Sequence, residues 1–366
     1  MNSELQYLPL LLGALIASVT AALIAFTVKW HGALTLDYDK GVQKVHNAPT
    51  PRVGGVALMI GGLAAWPFLN GEAYTLWTQL LIISIPAITA GLLEDITGKV
   101  SPKWRLLATA LGGLLFYLVT GYAIDRLGWG PLDFIGNVPV IMGLLTIFAF
   151  AATANATNLV DGFHGLAGAT IIFMALGLGA IAMQVDDIAI AQLCFLTAAI
   201  VGGFLTINYP WGKLFLGDGG AYTLGSLLAA LGIALMARND EVSPWALLVC
   251  FAYPAIETGF SIFRRRKRKK SISQPDAVHF HKLVWRAMAR PIARHMNRPN
   301  IANPLTLYFI WPLATIGPVM ASIFYFRTLA AMLGLLVVLV IYLSIYRVVS
   351  LQHLRSKKKT GQTHAK

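Results

Sequence analysis

Eleven long apolar runs, separated by shorter polar segments, dominate the chain. Each run approaches or exceeds the roughly 17 to 25 residues that a helix needs to cross the hydrocarbon core of a bilayer. Unpaired peptide groups are costly in lipid, so such runs are expected to be helical. The pattern predicts an all-α, polytopic membrane bundle of about 11 transmembrane helices, at 5–28, 53–69, 77–93, 105–124, 138–154, 164–184, 187–207, 219–237, 243–263, 304–326 and 328–347.

The composition also indicates a membrane protein. Of 366 residues, 57% are hydrophobic and only 12% are charged, which is too apolar for a soluble globular protein. The first run begins close to Met1, lacks a basic start and is longer than a signal-peptide core, so we expect it to be retained. Cys194 and Cys250 both fall in apolar runs, which predicts buried thiols and no disulfide framework.

The basic residues are distributed unequally between the polar segments. If alternate segments lie on opposite sides of a membrane, 26 Lys and Arg residues lie on one side and three on the other. Positive charge concentrates on the cytoplasmic side of membrane proteins, so we expect the N-terminus outside and the C-terminus in the cytoplasm. We interpret RRRKRKK (264–270) and SKKK (356–359) as topology determinants and anionic-lipid contacts, and not as nucleic-acid-binding segments.

The predicted organisation is one integral-membrane catalytic domain over residues 1–350, followed by a basic cytoplasmic tail at 351–366. The cytoplasmic loops are placed at 29–52, 94–104, 155–163, 208–218 and 264–303. None is large enough to hold a soluble domain with its own core, and no internal repeat is visible. Any chemistry is therefore expected in these loops and at the adjoining helix ends.

Polar motifs occur at all five of these loops. Because the loops lie on one side, Glu94, Asp95, Asp161 and Asp218 are expected to meet at one membrane surface, where a cation would relieve their repulsion. Carboxylates and asparagines without a nearby cysteine favour Mg²⁺ over Zn²⁺. The motifs are KVHNAPTPRVGG (44–55), GLLEDITG (91–98), NATNLVDGFHGLAG (155–168), NYPWGKLFLGDGGAYTLG (208–225) and QPDAVHFHKL (274–283).

Cationic groups and glycines adjoin these acids. Lys44, Arg52, His279 and His281 are suited to hold phosphate oxygens, and the glycines of VDGFHG and FLGDGG allow the backbone to approach a ligand closely. Together the motifs predict a site for phosphorylated substrates at the water–lipid boundary. Taken singly, each has an ordinary alternative, because an Asp at a helix end is often a cap and PTPR is also a common rigid turn.

The motifs, in this order, resemble those of the polyprenyl-phosphate N-acetylhexosamine-1-phosphate transferases over about residues 40–285. This family includes the bacterial enzyme that starts O-antigen and enterobacterial common antigen, which the chain resembles most, and the phospho-MurNAc-pentapeptide translocase of peptidoglycan synthesis. The resemblance implies substrate binding by Lys44, Thr50, Arg52, Asn155, Asn158 and His164, catalysis by Glu94, Asp95, Asp161, His279 and His281, and metal binding by Asp218.

Three positions depart from the family pattern. Glu94 stands where aspartate is usual, His164 where many members have a second aspartate, and Lys282 where a third histidine is common. These departures keep the reaction class and leave the sugar open. If the helix continues through the motif, Asn158, Asp161 and His164 share one face. His164 is therefore the residue that we expect to affect the choice of sugar.

The resemblance implies transfer of a sugar 1-phosphate from a UDP-sugar to undecaprenyl phosphate, with release of UMP. The reaction would use Mg²⁺, or alternatively Mn²⁺, at the cytoplasmic face of the bacterial inner (plasma) membrane. UDP-GlcNAc is the default donor, and UDP-GalNAc, UDP-FucNAc and UDP-QuiNAc are alternatives. The expected partners are the UDP-sugar, undecaprenyl phosphate and membrane lipids, with no nucleic acid; a homodimer is left open.

Two other functions are alternatives to this one. Within the family, the second interpretation is the phospho-MurNAc-pentapeptide translocase. From a different class, a multi-span transporter also carries acids within its spans. Transporters usually place such groups near the bilayer midplane and often contain repeats. Here the acids cluster at span ends, which favours an enzyme.

Overall fold

The computed structural model describes residues 5–37, 49–269 and 278–363. These residues are almost entirely helical, which confirms the all-α prediction, and Cys194 and Cys250 are buried free thiols. Two short strands, β1 (Leu36–Asp37) and β2 (Thr50–Pro51), pair antiparallel. The helices are α1 (Tyr7–Phe26), α2 (Val28–Thr35), α3 (Gly54–Ala65), α4 (Gly71–Thr97), α5 (Pro102–Thr120), α6 (Pro139–Val160), α7 (Leu166–Gln184), α8 (Ile188–Asn208), α9 (Gly217–Arg238), α10 (Pro244–Cys250), α11 (Ala252–Lys267), α12 (Phe280–Val284), α13 (Arg290–His295), α14 (Ala302–Phe324) and α15 (Thr328–Thr363).

Eight of the described helices are long and apolar enough to cross a membrane, namely α1, α4, α6, α7, α8, α9, α14 and α15. Helices α10 and α11 together form a ninth candidate, bent by 78°. The predicted run at 53–69 coincides with the shorter apolar helix α3 and the 3-10 turn after it, and the run at 105–124 coincides with α5. Every predicted run thus falls on a helix, and the count of eleven spans stays a prediction.

Helix α9 lies at the centre of the bundle and packs against α3, α4, α5, α6, α7 and α8. Its first turns are rich in small residues, which let helix backbones approach closely in membranes. A Cβ at Gly91 of α4 would lie 2.5 Å from the Cα of Gly219, and a Cβ at Gly55 of α3 would lie 2.5 Å from the nitrogen of Gly220. These contacts hold the end of α4 and the start of α3 against the first turn of α9.

A second group of helices, α11, α12, α14 and α15, packs beside this centre. Its buried side chains include Phe280, Leu283 and Tyr342, and they share one apolar cluster with Val160 and Phe163 from the region where α6 ends. The bend after α10 turns α11 so that it contacts α6 as well as α14 and α15. The histidine motif at the start of α12 is thereby brought next to the loop after α6.

Helix α6 ends at Val160, and a non-helical connection leads from Asp161 to α7. Asp161 has φ −72° and ψ 85°, and Gly165 has φ 76°, a left-handed conformation that glycine adopts without strain. The condition under which Asn158, Asp161 and His164 would share a helical face is therefore not met. The glycines of this motif allow a sharp turn instead of a continued helix.

At the other end of α9, Arg238 joins three helices. Its Nε lies 2.7 Å from Asp187 Oδ2, at the start of α8, and its two Nη atoms bond both oxygens of Glu72, in the first turn of α4. Nη1 also donates to the hydroxyl of Tyr122 at 3.0 Å. Helices α4 and α9 are antiparallel, so this cluster and the acids Asp95 and Asp218 lie at opposite ends of the bundle.

Candidate active site

The candidate site is built around Asp218, the second residue of α9. Its side chain is 2% exposed, and its two carboxylate oxygens accept hydrogen bonds from the guanidinium groups of Arg52 and Arg105. Arg52 follows β2 and Arg105 lies in the first turn of α5. Two guanidinium groups thus converge on one buried carboxylate, and guanidinium groups are well suited to bind the oxygens of a phosphate.

Asp95, near the end of α4, binds the backbone of α9. Its Oδ1 accepts the N–H of Asp218 and its Oδ2 accepts the N–H of Gly219, both at 2.8 Å. The Nε of Arg52 lies 3.4 Å from Oδ1, and the Asp95 side chain is 0% exposed. The first N–H groups of a helix have no partner within the helix, and a carboxylate there also complements the helix dipole. Asp95 therefore caps α9 from a neighbouring helix.

Gly217 begins α9 in a left-handed conformation, with φ 74°. A Cβ at this position would lie 2.2 Å from the carbonyl oxygen of Arg52 and 2.5 Å from Asp95 Oδ2. Both the backbone angle and the crowding require glycine. This glycine lets the Arg52 segment and the capping acid contact the start of α9 together.

Asp161 reaches the same place from the end of α6, where its carboxylate accepts a backbone hydrogen bond from Gly217. Burial raises the pKa of Asp161 to about 7; Arg52 and the Gly217 bond act against this, and the charge of Asp218 adds to it. For Arg52, burial lowers the pKa, but the carboxylates around it, led by Asp218 and Asp95, outweigh burial and hold that pKa above its ordinary value. The charges of Arg52 and of the surrounding carboxylates therefore influence one another in a site that is largely shielded from water.

Asn158 and Tyr222 form a further wall of the site. The Asn158 side-chain amide donates to the Tyr222 hydroxyl at 2.8 Å, and the Arg105 guanidinium lies 5.9 Å from the centre of the Tyr222 ring. Arg105 is thus held by a carboxylate and an aromatic ring. Neither Arg105 nor Tyr222 is among the site residues predicted from the sequence. The spacing of four residues from Asp218 to Tyr222, one helical turn, was a signal that could have found it.

His279 and His281 approach from the side of α12. Their rings stack with centroids 5.4 Å apart and planes inclined by 18°. The Nε2 of His281 faces Gly162, where an added Cβ would lie 3.0 Å from it, and the His281 ring meets the Phe163 ring at 5.6 Å. The histidine motif therefore lies against the residues that follow Asp161.

We next compared the chain with known proteins. Residues 77–236 match the model of glycosyl transferase family 4. The chain is 30% identical over 295 residues to the phospho-N-acetylmuramoyl-pentapeptide-transferase of Enterococcus hirae, an alignment that covers 73% of this chain and 87% of the relative. The chain belongs to glycosyl transferase family 4. The family predicted from the motifs is thereby confirmed, and the protein is a multi-pass membrane transferase.

Two further relatives of the transferase come from another branch. It is 28% identical over 270 residues to a protein of Bacillus subtilis (strain 168) described as a probable undecaprenyl-phosphate N-acetylglucosaminyl 1-phosphate transferase, covering 70% of each chain. It is 27% identical over 258 residues to the undecaprenyl-phosphate alpha-N-acetylglucosaminyl 1-phosphate transferase of Yersinia pestis, covering 67% of this chain and 68% of the relative. Both branches are therefore similar to this transferase at a comparable level.

Glu94 and Asn155, two further predicted site residues, bond to nearby backbone in the transferase. Glu94 Oε2 accepts the N–H of Val100 at 2.8 Å and closes the turn after α4. Asn155 Nδ2 donates to the carbonyl of Ala151, one turn earlier in α6, at 2.7 Å. Their proposed roles in catalysis and substrate binding stay predictions.

His164 packs against the loop between α8 and α9. Its Nδ1 lies 3.0 Å from the carbonyl oxygen of Pro210, and its ring is 5.9 Å from that of Phe215. A Cβ at Gly212 would lie 2.2 Å from the His164 Nε2, and the backbone N–H of His164 donates to Asn303 at 2.8 Å. Any effect of His164 on the sugar would therefore act together with this loop.

Besides Arg52, two predicted residues belong to the first motif. Thr50 is buried in β2, opposite Asp37 of β1, immediately before the Arg52 segment. Lys44 lies outside the described residues. The described part of this motif reaches the site through Arg52.

The acidic residues of the site can be compared with the needs of the predicted Mg²⁺. Among the described residues, no group of three or more His, Cys, Asp or Glu side chains is placed to hold a metal. Mg²⁺ usually needs only one or two carboxylates, because waters and substrate phosphates complete its shell. Asp218 and Asp161 supply two carboxylates close enough for the charge of Asp218 to raise the pKa of Asp161. These residues fit a Mg²⁺ that binds together with a phosphorylated substrate.

Proposed function

We propose that the transferase moves an N-acetylhexosamine 1-phosphate from a UDP-sugar to undecaprenyl phosphate at the cytoplasmic face of the plasma membrane. An oxygen of the lipid phosphate attacks the phosphorus bonded to the sugar, the bond from that phosphorus to the UMP oxygen breaks, and UMP leaves. The product is an undecaprenyl-pyrophosphoryl sugar, the first unit of a lipid-linked cell-surface glycan. The names of the Bacillus subtilis and Yersinia pestis relatives support this proposal.

The observation that carries the proposal is the convergence of Arg52 and Arg105 on Asp218. Both reactants are anions, so their mutual repulsion must be offset, and positioning together with charge stabilisation dominates phosphoryl transfer. Arginine binds phosphate oxygens with a planar pair of donors. We assign Arg52 and Arg105 to the phosphates of the two reactants.

Asp218 and Asp161 would hold Mg²⁺ in this site. When bound, the ion neutralises charge on the pyrophosphate of the donor. Asp95 keeps the first turn of α9 in place through its two backbone hydrogen bonds, so Asp218 is held at a fixed position.

The attack does not require a strong general base. A phosphate monoester has a second pKa of about 6, so the lipid phosphate is already mostly dianionic at neutral pH. The oxygens of Asp95 accept backbone N–H groups, which fits a positioning role better than proton removal. Orientation of the reactants by Arg52, Arg105 and the histidines is then the main contribution of the protein.

The reaction can be tested with purified transferase in lipid nanodiscs that contain undecaprenyl phosphate. With UDP-GlcNAc and Mg²⁺ we expect release of UMP and formation of a lipid-linked GlcNAc, loss of both with EDTA, and recovery with Mg²⁺ or Mn²⁺. Asp218→Asn should lower turnover by about 1000-fold, since it removes charge at the centre of the site. Asp240→Asn removes a fully exposed carboxylate at the other end of α9 and should have no effect. Absence of a lipid-linked product from every donor would refute the proposal.

The donor can be identified with a panel of UDP-sugars in the same assay. UDP-GlcNAc, UDP-GalNAc, UDP-FucNAc and UDP-QuiNAc test the proposed branch. UDP-MurNAc-pentapeptide belongs in the panel because the Enterococcus hirae relative, named for that substrate class, is as similar as the others. Product from that donor alone would assign the transferase to peptidoglycan synthesis. His164→Asp should change the order of preference, and an unchanged order would exclude a role for His164 in sugar choice.

A further inference from the structure

Glu257 is a buried acid that the proposed reaction has not used. It lies in the second turn of α11, within one of the predicted apolar runs, and its side chain is 0% exposed. A carboxylate is costly to bury unless hydrogen bonds compensate it, and acids within membrane spans are usually functional. Sequence reasoning did not single out Glu257, although an acid inside an apolar run was a signal that could have found it.

The two oxygens of Glu257 have different partners. Oε1 lies 2.9 Å from Nδ1 of His279, and it also accepts the hydroxyl of Ser261 at 3.2 Å and the N–H of Phe280 at 3.3 Å. Oε2 accepts the hydroxyl of Tyr342, from α15, at 2.5 Å. The carboxylate is thus fixed by groups from α11, α12 and α15, and one of its oxygens is directed at the His279 ring.

This contact determines which ring nitrogen of His279 carries the proton. The Ser261 hydroxyl also lies 3.3 Å from Nδ1, but the Glu257 carboxylate at 2.9 Å is the nearer partner. A carboxylate can only accept, so this contact places the proton on Nδ1, and Nε2 of the neutral ring keeps its lone pair. Carboxylate partners of this kind fix both the tautomer and the orientation of a functional histidine. The His279 ring is also the one that stacks on His281, whose Nε2 faces Gly162 beside Asp161.

We propose that Glu257 is a positioning residue that holds His279 with Nδ1 protonated and, through the stacked rings, holds His281 against the Asp161 loop. Tyr342 supports this arrangement by binding the other oxygen, so the last long helix contributes to the geometry of the site. The effect on catalysis rests on the proposed function, whereas the protonation of His279 follows from the geometry alone.

The first measurement reads the tautomer without any activity. The transferase has eight histidines. Solid-state NMR of ring-¹⁵N-histidine protein in bilayers, with the His279 signal assigned by its absence in His279→Gln, should show a protonated Nδ1 and an unprotonated Nε2. In Glu257→Leu this signal should move away from that pattern. An unprotonated Nδ1 in the wild-type protein would overturn the proposal, even if Glu257→Leu does not fold.

The second measurement asks whether Glu257 acts through His279. Glu257→Leu should lower kcat by roughly 10-fold to 100-fold, by analogy with the range found when the partner of a metal-binding histidine is removed, with little change in KM for the UDP-sugar. The double variant with His279→Gln should be no slower than His279→Gln alone. Glu257→Gln, whose amide oxygen can still accept from Nδ1, should recover most of the activity.

Tyr342→Phe is the matched control, because it removes one hydrogen bond from the same carboxylate and leaves the His279 contact. It should change kcat by less than about threefold if that contact is what matters. If the kcat losses of Glu257→Leu and His279→Gln instead multiply in the double variant, Glu257 does not act through His279. Its role would then be purely structural, and the proposal would be overturned. If the wild-type protein shows the expected tautomer but no transfer, the proposed function fails and the Glu257–His279 pairing stands.

Discussion

Arg105 combines two roles that depend on one charge. Its position in a basic segment is expected to contribute to the orientation of the chain, and its guanidinium binds Asp218 while facing the ring of Tyr222. Its neighbour Lys103 has the same charge but is exposed. A comparison of Arg105 with Lys103 therefore distinguishes binding within the site from the effect of charge on the orientation of the chain.

We expect Arg105→Gln to lower kcat/KM by about 100-fold, because it removes a cation that would contact the reacting phosphates. Lys103→Gln removes the same charge two residues away and should stay within about twofold of the wild-type rate. UMP release in nanodiscs measures both. Equal losses in the two variants would show that only the total charge of the segment matters.

Gly217 provides a second test at the level of single residues. Gly217→Ala places a Cβ 2.2 Å from the Arg52 carbonyl oxygen in a left-handed backbone, and we expect a loss of about 3 kcal/mol in stability, from strain and overlap together. Gly98→Ala has the same kind of backbone, with φ 64°, and nothing within 4 Å of the added Cβ, so it should lose only about 1 kcal/mol. Thermal unfolding in detergent compares them, and equal losses would mean that crowding at Gly217 is unimportant.

The sequence could predict the types of the site residues but not their pairings. The motifs identified Arg52, Asp161, Asp218 and the histidines, because acids and cations at span ends are unusual in an apolar chain. Which oxygen meets which donor depends on the rotation of each helix, and apolar runs that are hydrophobic on all sides do not define a rotation. Contacts such as that of Glu257 with His279 therefore became visible only in the structure.

At the scale of elements, the extent of α4 explains the different roles of its two acids. The apolar run ends at residue 93, but the helix continues to Thr97, so Glu94 and Asp95 are both helical. Successive helical residues point about 100° apart, so the two side chains leave the helix in different directions. Glu94 turns to Val100, and Asp95 turns to the start of α9.

Asp95→Asn should weaken the cap of α9, since an amide group can accept one of the two backbone N–H groups but not both. We expect a loss of about 1 kcal/mol in stability and lower turnover at every pH, with the shape of the pH–rate profile unchanged. Thermal unfolding and rates between pH 6 and 9 provide the measurements, and Glu241→Gln, at an exposed position after α9, is the control. Loss of one limb of the profile would indicate proton transfer by Asp95 instead.

Helix positions followed from the sequence more closely than helix ends did. Every apolar run fell on a helix, because lipid leaves the backbone no other way to satisfy its hydrogen bonds. The predicted run at 138–154 stops six residues before α6 does, since polar residues such as Asn155 and Asn158 continue the helix beyond its apolar part. Hydrophobicity marks where a span crosses lipid, whereas glycines and caps mark where a helix ends.

At the scale of the whole molecule, two of the three cations of the predicted outer side have structural partners. Arg126 donates to the carbonyls of Met236, in the last turn of α9, and of Asn239 and Val242, which follow α9, and Arg238 binds Glu72 and Asp187. A cation on this side runs against the usual charge distribution. Both of these arginines lie where they join helices.

Arg238→Gln should destabilise the bundle by about 3 kcal/mol, because it leaves the buried carboxylate of Asp187 without its cation. The rate per folded molecule should not change, since this cluster lies at the end away from Asp218. Arg327→Gln, at an exposed cation predicted on the same side, should have almost no effect on the unfolding temperature. A loss of activity without a loss of stability would instead reveal coupling between the two ends.

The backbone contacts of α9 have a consequence for how such an enzyme can diversify. Where Gly55 meets Gly220 and Gly91 meets Gly219, no methyl group can be added without displacing a helix. The backbone segments that carry Arg52, Asp95 and Asp218 are therefore held at fixed distances from one another. Single substitutions elsewhere cannot alter these distances in small steps. New donor preferences can arise only in the surrounding loops, so natural variation in this chain should be free at the rim of the site and nearly absent at its base.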